Sequence, residues 1–117
     1  MALLKVGSVL IATVDEDLTD VDAVEFQEAL YRRLETHGAI GVLIDVSMVE
    51  TIDSFLGRML HEIAMGARLL GAATVVAGIQ PAVAMTLVEL GLDLKGVRTA
   101  LSAEHGLAML RQSSHGR

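Results

Sequence analysis

The chain has 117 residues, 52% of them hydrophobic, and nine basic against fifteen acidic residues give a formal net charge of −6. That length suits one domain with a real core, at a size that hides roughly two-thirds of the unfolded surface. The lack of cysteine excludes disulfides and thiolate metal sites, and the lack of a basic cluster removes the positive footprint on which nucleic-acid binding depends.

Residues 1–7 lack the basic stretch, apolar run and cleavage site of a secretory signal. No apolar segment reaches the roughly 20 residues needed to cross a bilayer. A cytoplasmic protein without membrane contact is expected. Aromatics are few, so Leu, Val, Ile, Ala and Met must build the core.

Lys5-Val6-Gly7 reads as a short edge strand with a turn at Gly7-Ser8. Val9 to Val14 is a β-branched run closed by Asp15-Glu16-Asp17, and reads as a strand. A helix is expected from Asp20 to Thr36, capped by Thr19 or Asp20, with Ala23, Phe26, Leu30 and Leu34 on one face and Gly38 as its stop. Val42 to Val46 is nearly all apolar, as in a strand covered on both faces. After a loop over 47–52, a helix from Asp53 or Ser54 to Leu70 carries Leu56, Leu60, Ile63, Ala67 and Leu70 as its stripe. Thr74 to Ile79 is a further strand. Pro81 opens a helix with Val83, Leu87 and Leu90 inward, Val97 to Leu101 forms a last strand, and Ser102 caps a final helix with Leu107 and Leu110 facing in. Residues 112–117 read as a frayed tail.

Strands alternating with helices require crossovers and so a mainly parallel sheet, while the two N-terminal strands are too close for anything but an antiparallel hairpin. The expectation is an α/β fold: a mainly parallel sheet of four to five strands, an N-terminal antiparallel hairpin and about four helices, with a core over about 3–111.

Convergent reactive groups are hard to find. His37, His61, His105 and His115 fall on different elements without metal-ligand spacing, so no metal, cofactor or catalytic residue is expected. Asp45 ends an apolar run and is suited to bind loop backbone. The loop Gly78-Ile79-Gln80-Pro81 joins a strand to a helix, a place where helix N–H groups can hold phosphate. It lacks the glycine and lysine pattern of nucleotide loops, and Pro81 removes a donor.

Thr51-Ile52-Asp53-Ser54-Phe55-Leu56-Gly57-Arg58 is the more promising segment. It lies beyond the carboxyl end of a strand, where α/β sheets place their sites. With Asp53 as N-cap, Ser54 occupies the first helical position, at the positive end of the helix dipole. As a nucleophile it would need a base, and none is near in sequence. As a phosphate acceptor it needs exposure and a kinase, and Arg58 stands four residues on. Met48, Val49, Phe55 and Met59 fall outside the main helical stripe or at its margin. They either form an exposed apolar patch beside Ser54 or complete the core.

Three segments, Gly41-Val42-Leu43-Ile44-Asp45-Val46, Asp53-Ser54-Phe55-Leu56-Gly57-Arg58-Met59-Leu60 and Gln80 to Leu92, together with Leu94 to Leu101, resemble the STAS domain family and, within it, the RsbS-type stressosome antagonists. The resemblance spans about residues 3–111. It implies a non-catalytic scaffold that assembles with an RsbR-type paralogue carrying an N-terminal sensor domain, in a homo-oligomer or larger particle. It also implies that an RsbT-type serine kinase is sequestered and released by phosphorylation of Ser54, with a phosphatase resetting the switch. Met48, Val49, Asp53, Phe55, Arg58 and Met59 are then the expected partner-binding residues. Thr86 lies where RsbR-type paralogues carry a second phosphorylated threonine, although its helical position suits an ordinary residue. A free anti-anti-sigma factor and a small nucleotide- or ligand-binding domain at Gly78–Pro81 are the alternatives. The cytoplasmic part of an anion transporter is disfavoured by the missing membrane segment.

Overall fold

A computed structural model describes residues 2–92, 94 and 96–115, with side chains described up to Gln112. Met1 and Lys95 of the segments discussed above, Gly116 and Arg117 of the expected tail, and the His115 side chain lie outside the described residues.

The hairpin comes first: β1 (Ala2–Val6) pairs antiparallel with β2 (Val9–Thr13), with Val6 opposite Val9. β3 (Gly41–Asp45), β4 (Ala73–Ala77) and β5 (Arg98–Ala100) follow in parallel, giving a five-stranded sheet in the order β1-β2-β3-β4-β5. The helices are α1 (Asp20–His37), α2 (Ser54–Leu69), α3 (Pro81–Glu89) and α4 (Ala103–His115). α4 thus continues through Gln112 to His115, beyond the point where the sequence suggests fraying.

The order follows from handedness. Each crossover β2-α1-β3, β3-α2-β4 and β4-α3-β5 moves one strand along the sheet. Right-handed crossovers running in one direction place their helices on one face. That face holds the larger core, in which Phe26, Leu30, Ile63, Leu60, Val83 and Leu87 pack on Leu10, Val42, Ile44 and Val76. α4 alone covers the reverse face, where Leu110 packs with Val9, Leu43, Val75 and Ala100. The period-two alternation of the strands thus serves two cores, which is why β3 is apolar throughout.

The helix ends are chemically specified. The Thr19 hydroxyl accepts from Asp22 N at 3.1 Å, and Asp22 returns the bond to Thr19 N. α1 ends at Gly38, which is left-handed. Ser102 Oγ accepts from His105 N at 3.1 Å and caps α4. α1 and α2 are pinned together where the Tyr31 hydroxyl donates to Glu62 O at 2.9 Å and accepts from Gln27 Nε2.

Two stripe positions differ from expectation. Leu70 and Leu90 are exposed, not inward. Each is the C-cap of its helix, where the chain leaves helical geometry and the 3.6-residue period stops positioning side chains.

Candidate functional site

β2 and β3 run parallel with Thr13 opposite Asp45, so the loops that follow them emerge side by side at the carboxyl edge of the sheet. Val14 N donates to Asp45 O at 3.0 Å, and Val46 N to Ala77 O at 2.9 Å, extending the pairing into the loops. Asp45 Oδ1 accepts from Ser47 N at 2.9 Å, the loop-binding role its position suggests. Val49 N closes a turn onto Val46 O.

Asp53 then starts α2. Its backbone is extended, its Oδ1 accepts from Leu56 N at 2.9 Å, and its carbonyl takes the first helical bond from Gly57 N at 3.1 Å. Ser54 is therefore the first residue of α2. Its side chain is half-buried, not fully exposed. Buried Val49 and part-buried Ile52 anchor the preceding loop and lower the first helical turn onto the core.

The four apolar residues expected beside Ser54 divide. Met48 and Phe55 are exposed, whereas Val49 and Met59 are only 3% and 4% exposed and belong to the main core, so the surface patch loses them. The reason is periodicity. Met59 lies one residue before Leu60 and four before Ile63, within the arc that faces the sheet. Val49 is the hydrophobic plug of a loop that would otherwise cover the core with polar backbone. Asp53 and Arg58 are exposed.

Folding adds neighbours that local sequence does not announce. Val24 of α1 is exposed and shares a hollow with Phe55, Arg58 and Glu62, extending the apolar surface that Phe55 begins. A cleft of about 320 Å³ separates the β2–α1 loop from the start of α2, lined by the carboxylates of Asp15, Glu16, Asp20 and Asp53 with Leu18 and Phe55. The parallel pairing of β2 with β3, expected from the alternation of elements, was the signal that Asp15 and Glu16 would face the start of α2. Glu16 hydrogen-bonds Glu50 across the two loops; that bond, the like charge of Glu50, slight desolvation and the charge of Asp17 raise its pKa above 4.5. Four carboxylates make the cleft unsuited to a phosphate ligand and suited to a basic side chain.

Thr86 is half-buried in α3 and its Oγ1 donates to Ala82 O at 3.0 Å, a bond internal to the helix. α3 touches the first turn of α2: a side chain at Gly57 would meet Leu87 and Leu92. The Gly78–Pro81 loop spends its polar groups internally. Gly78 N donates to Ala100 O at 3.0 Å and Gln80 Nε2 to Ser47 O at 2.8 Å. His37 and His105 are exposed and His61 half-buried, each on a different helix. Among the described residues, no group of three or more His, Cys, Asp or Glu is placed to hold a metal ion, and no helix is long and apolar enough to cross a membrane.

The sequence signature of the STAS domain matches residues 1–104. The chain belongs to the STAS domain family. Among solved structures, this STAS chain is similar to RsbS from Moorella thermoacetica, determined as a serine-to-glutamate variant, with 39% identity, a TM-score of 0.87 and 97% of each chain covered. It is also similar to a chain of the stressosome, described as a signal integration and transduction hub, with 41% identity, a TM-score of 0.86, and 97% of this chain and 98% of that one covered. Among curated proteins it is 32% identical over 98 residues to the RsbT co-antagonist protein RsbRA of Bacillus subtilis (strain 168). That match covers 84% of this chain but 34% of RsbRA, so the chain spans about a third of that relative's length. The resemblance to the STAS family and its RsbS-type members is thus shown, as is the expected α/β architecture with its antiparallel hairpin.

Proposed function

We propose that this STAS domain is a non-catalytic scaffold of a cytoplasmic stressosome that holds an RsbT-type serine kinase and releases it when Ser54 is phosphorylated. The observation that carries the reading is the position of Ser54. It opens α2 at the carboxyl edge of the sheet, half-buried, in a first turn whose Asp53, Phe55 and Leu56 line the acidic cleft facing the β2–α1 loop. The likeness to RsbS and to a stressosome chain over nearly the full length supports the assembly. The RsbT co-antagonist relatives support an RsbR-type partner and an RsbT-type kinase.

The electrostatics give the switch its direction. A phosphoserine adds about −1.5 to −2 charges at pH 7. The α2 N-terminus and Arg58 offset part of that charge, while Asp53 and the acidic loop oppose it. A kinase surface seated on Phe55 excludes water here, so the new dianion meets desolvation and like charge together. A change of about 3 kcal/mol in binding is more than 100-fold in affinity. A phosphatase that removes the phosphate restores the docking face.

The test is phosphosite mapping and pull-down with the cognate kinase and an RsbR-type paralogue. Ser54→Ala should abolish phosphate incorporation and keep the kinase bound when ATP is added. Ser54→Asp should weaken retention without ATP. Stoichiometric phosphorylation of the Ser54→Ala chain would overturn the site, and undiminished kinase retention by chain phosphorylated on Ser54 would overturn the release mechanism. Thr86 should remain unmodified, because it lies inside α3 with its hydroxyl already bonded to Ala82 O, whereas Ser54 opens its helix.

A further inference from the structure

Val21 and Val24 are the large apolar residues that α1 leaves exposed, at 67% and 46%. They lie three apart, on neighbouring turns and outside the buried stripe. Valine is a poorer helix former than the Glu or Lys usual on an outer helical face, so local propensity does not account for them. Across from Val24 stands Phe55 of α2, 39% exposed, whereas the other phenylalanine, Phe26, is fully buried. The two side chains line a hollow of about 280 Å³ with Gln27, Arg58 and Glu62 at its margins. The Tyr31 hydroxyl, bonded to Gln27 Nε2 and Glu62 O, ties the two helices together beside it, so the hollow is preformed. It is no larger than the lower limit of ligand pockets, roughly 300 Å³, and suits protruding protein side chains better than a free small molecule.

We propose that the groove between α1 and α2, walled by Val24 and Phe55, receives the apolar face of a basic amphipathic helix on the partner kinase. The occupant follows from the chemistry on either side of Phe55. The same ring borders the apolar hollow and the cleft that Asp15, Glu16, Asp20 and Asp53 line. Six of the fifteen acidic residues fall between Asp15 and Glu25, a stretch without a basic residue, and all six are exposed. That charge repels a second copy of this acidic chain, a nucleic acid or an anionic lipid surface, and draws a cationic partner. An amphipathic helix presents apolar side chains one turn apart to a groove and keeps Lys and Arg along its flanks. Laid over Val21, Val24 and Phe55, it would set those cations against the β2–α1 loop. Arg58 and Glu62, at the other margin, add one charge of each sign. The proposal rests on the kinase reading for the identity of the partner, and adds which kind of surface the kinase brings.

Two measurements on the full chain test it. The first titrates the chain into a fluorescent model peptide of leucine and lysine, ordered so that one helical face is apolar, and follows anisotropy. The peptide should bind, and a scrambled peptide of the same composition should bind about tenfold more weakly or worse. Molar salt should weaken the binding, because it screens the charge on the rim. Val24→Ser and Phe55→Ser, which leave the net charge unchanged, should each weaken it about tenfold. Met85→Ser, at an exposed apolar residue of α3, should not. No binding, equal binding of the scrambled peptide, indifference to salt or to Val24→Ser, or an equal loss in Met85→Ser would overturn the proposal. The second measurement is capture of the cognate kinase, which Val24→Ser should weaken about tenfold. A kinase captured equally by wild type and Val24→Ser would overturn the groove and leave the Ser54 switch standing. A kinase that never phosphorylates Ser54 would strike the switch and leave the groove, which the peptide measures by itself.

Discussion

Gln80 Nε2 donates to the carbonyl oxygen of Ser47 at 2.8 Å, fastening the loop that enters α3 to the loop that leads into α2. Gly78 completes the junction. It has φ +78°, and a Cβ there would lie 2.9 Å from Ser47 Cβ and 3.3 Å from the Ser47 backbone.

Gly78→Ala should therefore destabilise the protein by about 1–2 kcal/mol from the left-handed backbone alone, and further from the contact with Ser47. Thermal unfolding should show a loss of several degrees. Gln80→Ala, which removes one exposed bond, should cost less. Equal melting of Gly78→Ala and wild type would refute the junction.

Thr74 is 7% exposed on β4, and its Oγ1 has no hydrogen-bond partner among the described residues. A buried hydroxyl without a partner is worse than a methyl of the same shape. Thr74→Val should raise stability by on the order of 1 kcal/mol, measured by urea unfolding at unchanged slope. A loss would mean that the hydroxyl is solvated or bonded after all.

Phe55 and Met59 separate docking from packing. Met59→Ala empties a core position and should cost about 2–5 kcal/mol. Phe55→Ala removes a partly exposed ring and should cost about 1 kcal/mol. In the kinase pull-down the order reverses: Phe55→Ala should weaken capture about tenfold, while Met59→Ala should matter only through the unfolded fraction. Full retention by Phe55→Ala would remove that ring from the docking face.

Glu16 gives the pH dependence. Its hydrogen bond to Glu50 and the neighbouring negative charges raise its pKa in the folded state. The folded chain then holds the proton more tightly than the unfolded chain, so the favourable contribution is full below 4.5 and is lost as pH rises through the raised value. Carboxyl NMR should show Glu16 titrating above 4.5, and Glu50→Gln should move it back toward that value. An unchanged midpoint in Glu50→Gln would exclude Glu50 as the cause.

How much of this was legible in the sequence depends on the range of the physics involved. Local chemistry was readable: the Asp53 cap, the Thr19 cap, the stop at Gly38 and the loop-binding carboxylate of Asp45 depend on a few adjacent residues. So was the parallel sheet, because crossovers leave no other arrangement. Strand limits were less so. β1 begins at Ala2 because pairing with β2 extends it, and β4 stops at Ala77 because Gly78 turns away. The helical spacing of Met59 to Leu60 and Ile63 already pointed it inward, but the separation of exposed Met48 from buried Val49 in the loop was not legible. Which side a marginal apolar residue faces depends on the sheet beneath it, and that surface is assembled from strands distant in sequence. The Glu16–Glu50 contact needed two loops to meet, as did the placement of Val24 beside Phe55.

The solitary position of α4 has a practical consequence. Phe55, the ring proposed to meet the kinase, stands on α2, which packs on one side of the sheet, while α4 packs on the other. A fluorophore attached at Ala108, exposed on α4, would ride on the back of the molecule. It would report tumbling and proximity while kinase capture proceeds unobstructed on the front.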